Sequence, residues 1–491
     1  MRYISTRDNS ESLSFAKVVD LGMVPAGGLF VPEKIPRIYF SELQNLSYQQ
    51  IAKQVLSPFM DGFEATEIES CVANAYTSDS FDTPEVADLK SIGNGQYMLE
   101  LWHGPTAAFK DMALQIMPQF MRFAKVKSGD TSHTMILVAT SGDTGKAALE
   151  GFKNREGISI VVFYPHAGVS EIQKLQMATT DGSNTHAVAV RGNFDDCQNE
   201  VKELLGDEGL RKEAAALNTV FSSANSINWG RLCPQIVYYV KAYLDLVKRV
   251  YISYGEKVDF CVPTGNFGNI LAGYYAKEMG LPIRKLICAS NRNKVLTDFF
   301  TTGTYDRNRE FHKTMSPSMD ILISSNLERF LFEMSDRDAG KICGWYTALG
   351  CTGSFTVDQI VKERMDSHIK AVWVDEREVL DTIGKVYRES NYVTDTHTAV
   401  AAAAAGKSED DVPVVIVSTA SPYKFSADVL KGLGTKSGSD EFESIKELSR
   451  ISGIPVHRAV DGLEGKEELH TGVIEISEMR ETVTRLIKGA I

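Results

Sequence analysis

Cysteine is scarce and scattered. Cys71, Cys197, Cys233, Cys261, Cys288, Cys343 and Cys351 are an odd number in 491 residues, with no C-x-x-C pair and no zinc-ligand spacing. That excludes a disulfide framework and a zinc site on pattern grounds and fits reduced thiols in a reducing compartment. Long apolar runs are missing too: no stretch approaches about 18 uninterrupted apolar residues, and the start, Met1–Arg2–Tyr3–Ile4–Ser5–Thr6–Arg7–Asp8, has no apolar leader. Cytoplasm is the expected compartment, with no membrane partner. Positive charge is in deficit, with a formal net charge of −12. A chain of that sign is not expected to bind nucleic acid or anionic membrane, and an anionic ligand must be drawn in by a local site.

What is present builds a core. With 43% hydrophobic and 24% charged residues the chain reads as a globular protein, long enough for about two to four domains. From about residue 134, short branched apolar runs alternate with helix-period segments, which predicts an α/β protein with mostly parallel sheet. Buried strands are expected at Met135–Ala139, Ile158–Phe163, Ala187–Val190, Phe260–Val262, Leu286–Ala289, Ala371–Val374 and Val414–Val417. The first 95 residues differ. Gly27–Gly28–Leu29–Phe30–Val31–Pro32 marks a loop, and amphipathic helices are expected over Leu43–Leu56 and Ala65–Ala75, together an N-terminal cap. Gly432–Asp440 reads as a linker before a mostly helical tail from Glu441.

Four motifs carry chemistry. In the run Leu101–Trp102–His103–Gly104–Pro105–Thr106–Ala107–Ala108–Phe109–Lys110–Asp111, turn-forming residues deliver one lysine between apolar neighbours, ahead of a helix-prone stretch. Desolvation there lowers the ammonium pKa and can free a nucleophilic amine, although a surface lysine at a helix start has the same pattern. Ala139–Thr140–Ser141–Gly142–Asp143–Thr144–Gly145–Lys146–Ala147 follows a strand and opens a helix, so its amides can cradle an anion. Simple capping by Ser141, Asp143 or Thr144 is the competing role. A Walker loop is rejected, since Ala147 stands where Ser or Thr is required.

Val262–Pro263–Thr264–Gly265–Asn266–Phe267–Gly268–Asn269 again runs from strand through a glycine turn into a helix. It forms the better phosphate cup, with Gly265 and Gly268 expected to allow close approach and unusual dihedrals. It is not G-x-G-x-x-G, which disfavours a dinucleotide site. Val417–Ser418–Thr419–Ala420–Ser421–Pro422–Tyr423–Lys424 is a polar cluster at the carboxyl end of a strand, where ligand crevices of open α/β sheets lie. Two weaker clusters are Ser222–Arg231, rich in amide and hydroxyl donors beside an arginine, and Asp395–Thr398, read as a helix N-cap with His397 in the first turn.

In this order, the lysine run, S-G-D-T-G, S-A-N-S-I-N-W-G-R, T-G-N-F-G-N and S-T-A-S-P resemble the threonine synthases, pyridoxal-phosphate (PLP) enzymes of the tryptophan-synthase β type, fold type II. G-G-L-F-V-P at Gly27–Pro32 and Ala289–Asn293 fit the same family, and Met315–Asp320 resembles its long-chain bacterial and fungal branch. The resemblance implies two open, mostly parallel sheets wrapped by helices. Residues 1–95 would be the cap, 96–133 with 231–435 the large PLP-binding domain, 134–230 a small mobile substrate domain, and 436–491 the helical tail.

By the same resemblance Lys110 would be the catalytic lysine bonded to the cofactor aldehyde. Gly265, Asn266, Phe267, Gly268 and Asn269 would hold the cofactor phosphate, and Thr419 would face the pyridine nitrogen. Ser141, Asp143 and Thr144 would contact substrate, with Asn225, Ser226 and Arg231 as further candidates. The implied reaction is that of a carbon–oxygen lyase, turning O-phospho-L-homoserine and water into L-threonine and phosphate, in a monomer or homodimer. A phospho-lyase or hydroxy-amino-acid dehydratase of the same fold is the alternative.

Overall fold

A computed structural model describes residues 1–8, 12–25, 27–167, 169–407 and 411–489. Each apolar run expected to be a strand is one, although the run expected as a buried strand at Ala371–Val374 belongs to the edge strand Ile369–Trp373. That strand stops before Val374 and is only partly buried because one side of it has no neighbour. Val258–Pro263 and Ile158–Pro165 are buried along their whole length, as parallel strands covered on both faces must be. Full burial of a Val or Ile side chain stabilises by about 1.5–3 kcal/mol, so these short runs fix the sheets despite weak local propensity.

The larger sheet has six strands in the order Ile369–Trp373, Ile283–Ser290, Val258–Pro263, Val414–Ser418, Gln96–Glu100 and Asp88–Gly93. All neighbours are parallel except the last pair. Asp88–Gly93, inside the first 95 residues, is thus the antiparallel edge of this sheet, and its half-exposed sequence lacks the apolar run that marks a buried strand. The smaller sheet is wholly parallel, in the order Val473–Glu475, Thr185–Arg191, Ile158–Pro165, His133–Ala139 and Thr219–Ser222. Its edge strand Val473–Glu475 comes from the tail, and Met479 and Val483 of the last helix pack with Val190 and Leu204.

Helix Ala65–Ala75 has the expected bounds, whereas the helix expected over Leu43–Leu56 begins at Tyr48. Ser47 and Gln50 form a reciprocal capping box that sets this start, and Phe40–Leu43 is a separate 3-10 turn. The alanine-rich helix Thr396–Gly406 is capped by Asp395 and packs its small side chains against Cys261, Ile287 and Ile416 of the large sheet. Among the described residues no helix is long and apolar enough to cross a membrane.

The loops that carry the motifs leave the carboxyl ends of adjacent strands. Gln96–Glu100, Val414–Ser418 and Val258–Pro263 are neighbours, so the lysine run, the 419–424 turn and the glycine turn emerge side by side. The S-G-D-T-G loop leaves the smaller sheet at the end of His133–Ala139.

Candidate functional site

The lysine run is tied to the next strand end rather than left as a free loop. Phe109 N donates to the Thr419 carbonyl (2.8 Å) and Ser421 N to the Ala107 carbonyl (3.0 Å). Ala107 is fully buried with φ +59°, a left-handed conformation that a non-glycine residue adopts only when its surroundings impose it. Asp111 then starts the short helix Asp111–Leu114, its carboxylate accepting from Thr106 N (2.9 Å) and Thr106 Oγ1 (2.8 Å). Burial raises the Asp111 carboxyl to about 6 against those hydrogen bonds. These contacts hold Lys110 inward, 9% exposed.

Three charged groups converge on Lys110. Its Nζ lies 3.7 Å from Asp143 Oδ2, while Lys424 Nζ lies 2.6 Å from Asp143 Oδ1. Burial lowers the Lys110 ammonium below its ordinary value against the pull of Asp143, and Lys424 and Arg231 push the same way as burial. Burial alone would raise the Asp143 carboxyl, but Lys424 and then Lys110 hold it well below the usual carboxylate range. Lys110 is therefore biased toward the neutral amine while Asp143 stays ionised.

The glycine turn is built differently from expectation. Neither Gly265 nor Gly268 has positive φ; the left-handed residue is Phe267, at φ +61°. Its ring is buried and packs on Phe300 and Phe330 at centroid distances of 5.8 and 5.5 Å, which offsets the cost of that backbone. Gly265 is required for close approach: a Cβ there would sit 2.6 Å from the Ser318 carbonyl oxygen. Ser324 Oγ donates to the Gly265 carbonyl (2.7 Å) and Asn326 N to that of Asn266 (3.1 Å), so both carbonyls face away from any anion held by the amides that follow. Asn269 Oδ1 accepts from the hydroxyls of Tyr238 and Tyr239, each at 2.7 Å.

One cavity brings most of the expected residues together. Lys110, Asp143, Thr144, Ser226, Arg231, Gly265, Asn266, Phe267, Gly268, Asn269 and Thr419 all line it. Ser141 and Asn225 do not. None of Ser141, Asp143 and Thr144 caps the helix Asp143–Phe152: its N-cap is Gly142, and Thr140 Oγ1, from the end of the preceding strand, accepts from the amides of Gly142 and Gly145. The turn around Asn225 is fixed by Asn228, whose Nδ2 donates to Val19 and Ser223 carbonyls, and it turns Ser226 rather than Asn225 to the cavity. Gln235, Ser318 and His397 line it as well and were not singled out as ligand contacts. Of these three, only His397 carries a local sequence signal, the N-cap pairing with Asp395. His397 Nε2 accepts from Ser318 N (3.1 Å), which leaves Nδ1 to face Asp395 Oδ1 at 3.1 Å.

Next to the lysine run, His103 is clamped between two carboxylates, with Nδ1 at 2.6 Å from Asp82 and Nε2 at 3.0 Å from Glu100. Burial would lower the imidazolium, but Asp82 and then Glu100 raise it to about 9. A histidine raised on folding contributes stability in full below its unfolded value of about 6.5 and loses it as pH rises through the folded one. His103→Gln is therefore expected to lower the denaturation midpoint at pH 6, with the deficit shrinking by pH 9.5; an equal deficit at both pH values contradicts the clamp.

Similarity to known proteins follows the same outline. Family models described as "Threonine synthase N terminus", "Pyridoxal-phosphate dependent enzyme" and "Threonine synthase, C-terminal" match residues 2–76, 89–345 and 398–486. Threonine synthase of Pseudomonas aeruginosa is 39% identical over 441 residues, covering 88% of this chain and 91% of that protein. The chain belongs to the threonine synthase family. The crystal structure of PLP-bound threonine synthase from Brucella melitensis superposes with a TM-score of 0.88 at 35% identity, covering 100% of this chain and 99% of that one. Human threonine synthase-like 1 is 39% identical over 98% of this chain, which spans 65% of that relative's length.

Family membership fixes the fold as the mixed α/β, parallel-sheet arrangement of fold type II, and pyridoxal phosphate as the family's cofactor. The cavity suits such a group on its own terms. Asn269 Nδ2 and Arg231 Nε are buried and have no hydrogen-bond partner among the described residues, an arrangement that costs about 1–3 kcal/mol per group unless a ligand answers it. Among the described residues Arg231 pairs with no carboxylate; its Nη1 donates to the Ala224 carbonyl (2.9 Å), and burial pushes the guanidinium down to about 10. An anion in this cavity would satisfy what the protein leaves open.

Proposed function

We propose that the chain converts O-phospho-L-homoserine and water into L-threonine and phosphate with pyridoxal phosphate as cofactor. One observation carries the reading: a buried lysine biased toward the free amine, a glycine turn opening a helix, and two unanswered buried donors share a single cavity. In this reading Lys110 bonds the cofactor aldehyde, the amides of residues 265–269 receive its phosphate, and Thr419 lies beside its ring nitrogen. A hydroxyl at 419, rather than a carboxylate, leaves the ring a milder electron sink.

Bound there, the cofactor supplies delocalisation of negative charge from the amino acid's Cα. The protein's residues do the rest. Lys110, once released as an amine, takes the proton from Cα, a general-base role typically worth about 10²–10⁴ in rate. Arg231 presents a fixed, desolvated cation to the substrate's anionic groups, with Thr144 and Ser226 as hydrogen-bonding neighbours. Gln173 Nε2 donates to Asp143 Oδ1 (2.9 Å) and holds that carboxylate beside both lysines.

Incubating the full chain with pyridoxal phosphate and O-phospho-L-homoserine tests this. Equimolar phosphate and threonine are expected. Phosphate with 2-oxobutyrate would instead identify a phospho-lyase, and keto acid from a hydroxy-amino acid without phosphate a dehydratase.

A further inference from the structure

Lys424 touches neither cofactor nor substrate in the reading above, yet its side chain is fully buried against Asp143. It lies in the turn Pro422–Phe425 after the central strand Val414–Ser418, and its side chain is 0% exposed. Its ammonium contacts Asp143 Oδ1 at 2.6 Å and donates to the Thr106 carbonyl at 3.1 Å. Three segments meet on this one nitrogen: the strand end of the large sheet, the loop that carries Lys110, and the first turn of the small sheet's helix Asp143–Phe152.

The geometry is a competition. Asp143 offers one oxygen to Lys424 at short range and the other to Lys110 at 3.7 Å. A carboxylate facing a single buried amine forms a tight ion pair and keeps that amine protonated. Here the tight contact belongs to Lys424. The other ionisable groups lining the same cavity are Arg231 from helix Trp229–Leu232 and His397 from helix Thr396–Gly406, and Asp111, next to Lys110 in sequence, is already engaged by Thr106. Arg231 and Lys424 favour loss of the proton from Lys110, whereas Asp143 favours its retention.

We propose that Lys424 is a positioning residue for the reaction: by occupying Asp143 it keeps that carboxylate from closing a tight ion pair with Lys110, and by holding the Thr106 carbonyl it fixes the loop from which Lys110 reaches the cavity. This rests on Lys110 being the reacting amine. A merely structural lysine would neutralise Asp143 and affect stability alone; a positioning lysine also changes the pH at which Lys110 reacts.

The experiment adds pyridoxal phosphate to the cofactor-stripped full chain and follows the pH dependence of the rate of bond formation at Lys110 by absorbance, with the site verified by borohydride fixation and peptide mass spectrometry. In Lys424→Met, Asp143 turns to Lys110, and the half-maximal rate is expected to move at least one pH unit upward, about tenfold slower at neutral pH. In Lys424→Met/Asp143→Asn the upward shift disappears. Asp143→Asn alone, which keeps Lys424, is expected to move the half-maximal rate downward, and this keeps the proposal testable should Lys424→Met not fold. A folded Lys424→Met with wild-type pH dependence, or an Asp143→Asn profile that is unmoved or shifted upward, overturns the role of Lys424. A wild-type chain that forms no bond at Lys110 at any pH overturns the reading of the site itself.

Discussion

Lys110→Ala is expected to turn over at least about 10⁴-fold more slowly than the wild type, since general-base action alone typically supplies about 10²–10⁴-fold and covalent capture of the cofactor is lost with it. No second amine can substitute. Lys424, the other lysine at the site, is fully buried and already shared between Asp143 and the Thr106 carbonyl. Borohydride should therefore fix pyridoxal phosphate to the wild-type chain at position 110 and leave the variant unlabelled. A variant with turnover near that of the wild type would remove Lys110 from the chemistry, whatever the cavity holds.

The second large effect separates two glycines that look equivalent in sequence. Gly265→Ala places a Cβ 2.6 Å from the Ser318 carbonyl oxygen and 3.4 Å from Met319 Cα, atoms of a backbone that cannot swing aside. Overpacking of this kind costs about 1–3 kcal/mol. If the turn relieves it by shifting, the amides leave the positions they hold for an anion, and the dissociation constant for pyridoxal phosphate should rise about 5- to 150-fold. At Gly268 the nearest atom to an added Cβ is Asn326 Nδ2 at 3.4 Å, an ordinary contact, and φ is not positive. Gly268→Ala should therefore stay within about twofold of the wild type, the effect of one ordinary contact at a surface that need not strain, and only a branched side chain should crowd the cup. An unchanged dissociation constant in Gly265→Ala would show that the turn does not hold the cofactor phosphate, and equal losses in the two alanine variants would contradict the difference drawn between the glycines.

The sequence was legible where apolar period and turn chemistry agree. Runs such as Ile158–Pro165 and Val258–Pro263 are buried throughout, and burial is what an apolar run records. Asp88–Gly93 and Val473–Glu475 escaped notice because they are edge strands with exposed positions, paired through the backbone rather than through side-chain burial. At the site, Lys110 and residues 265–269 declared themselves through local motifs. Lys424, Gln173 and Ser318 did not, because their importance comes from contacts with Asp143, 281, 30 and 175 positions away in the chain. The contact of Thr140 with the Gly145 amide spans five residues, outside the two- or three-residue offset of an N-cap, so no local pattern marks it. Glycine is the usual residue for a left-handed turn position, but in this turn an aromatic residue, Phe267, takes that conformation.

That substitution of roles has a consequence for how the socket comes into being. Because Phe267 packs on Phe300 and Phe330, the direction of the amides that follow it is set by the hydrophobic interior and not by contacts with a coenzyme. Arrival of the coenzyme then requires little ordering of the anchor, and free energy of association is not diverted into shaping it.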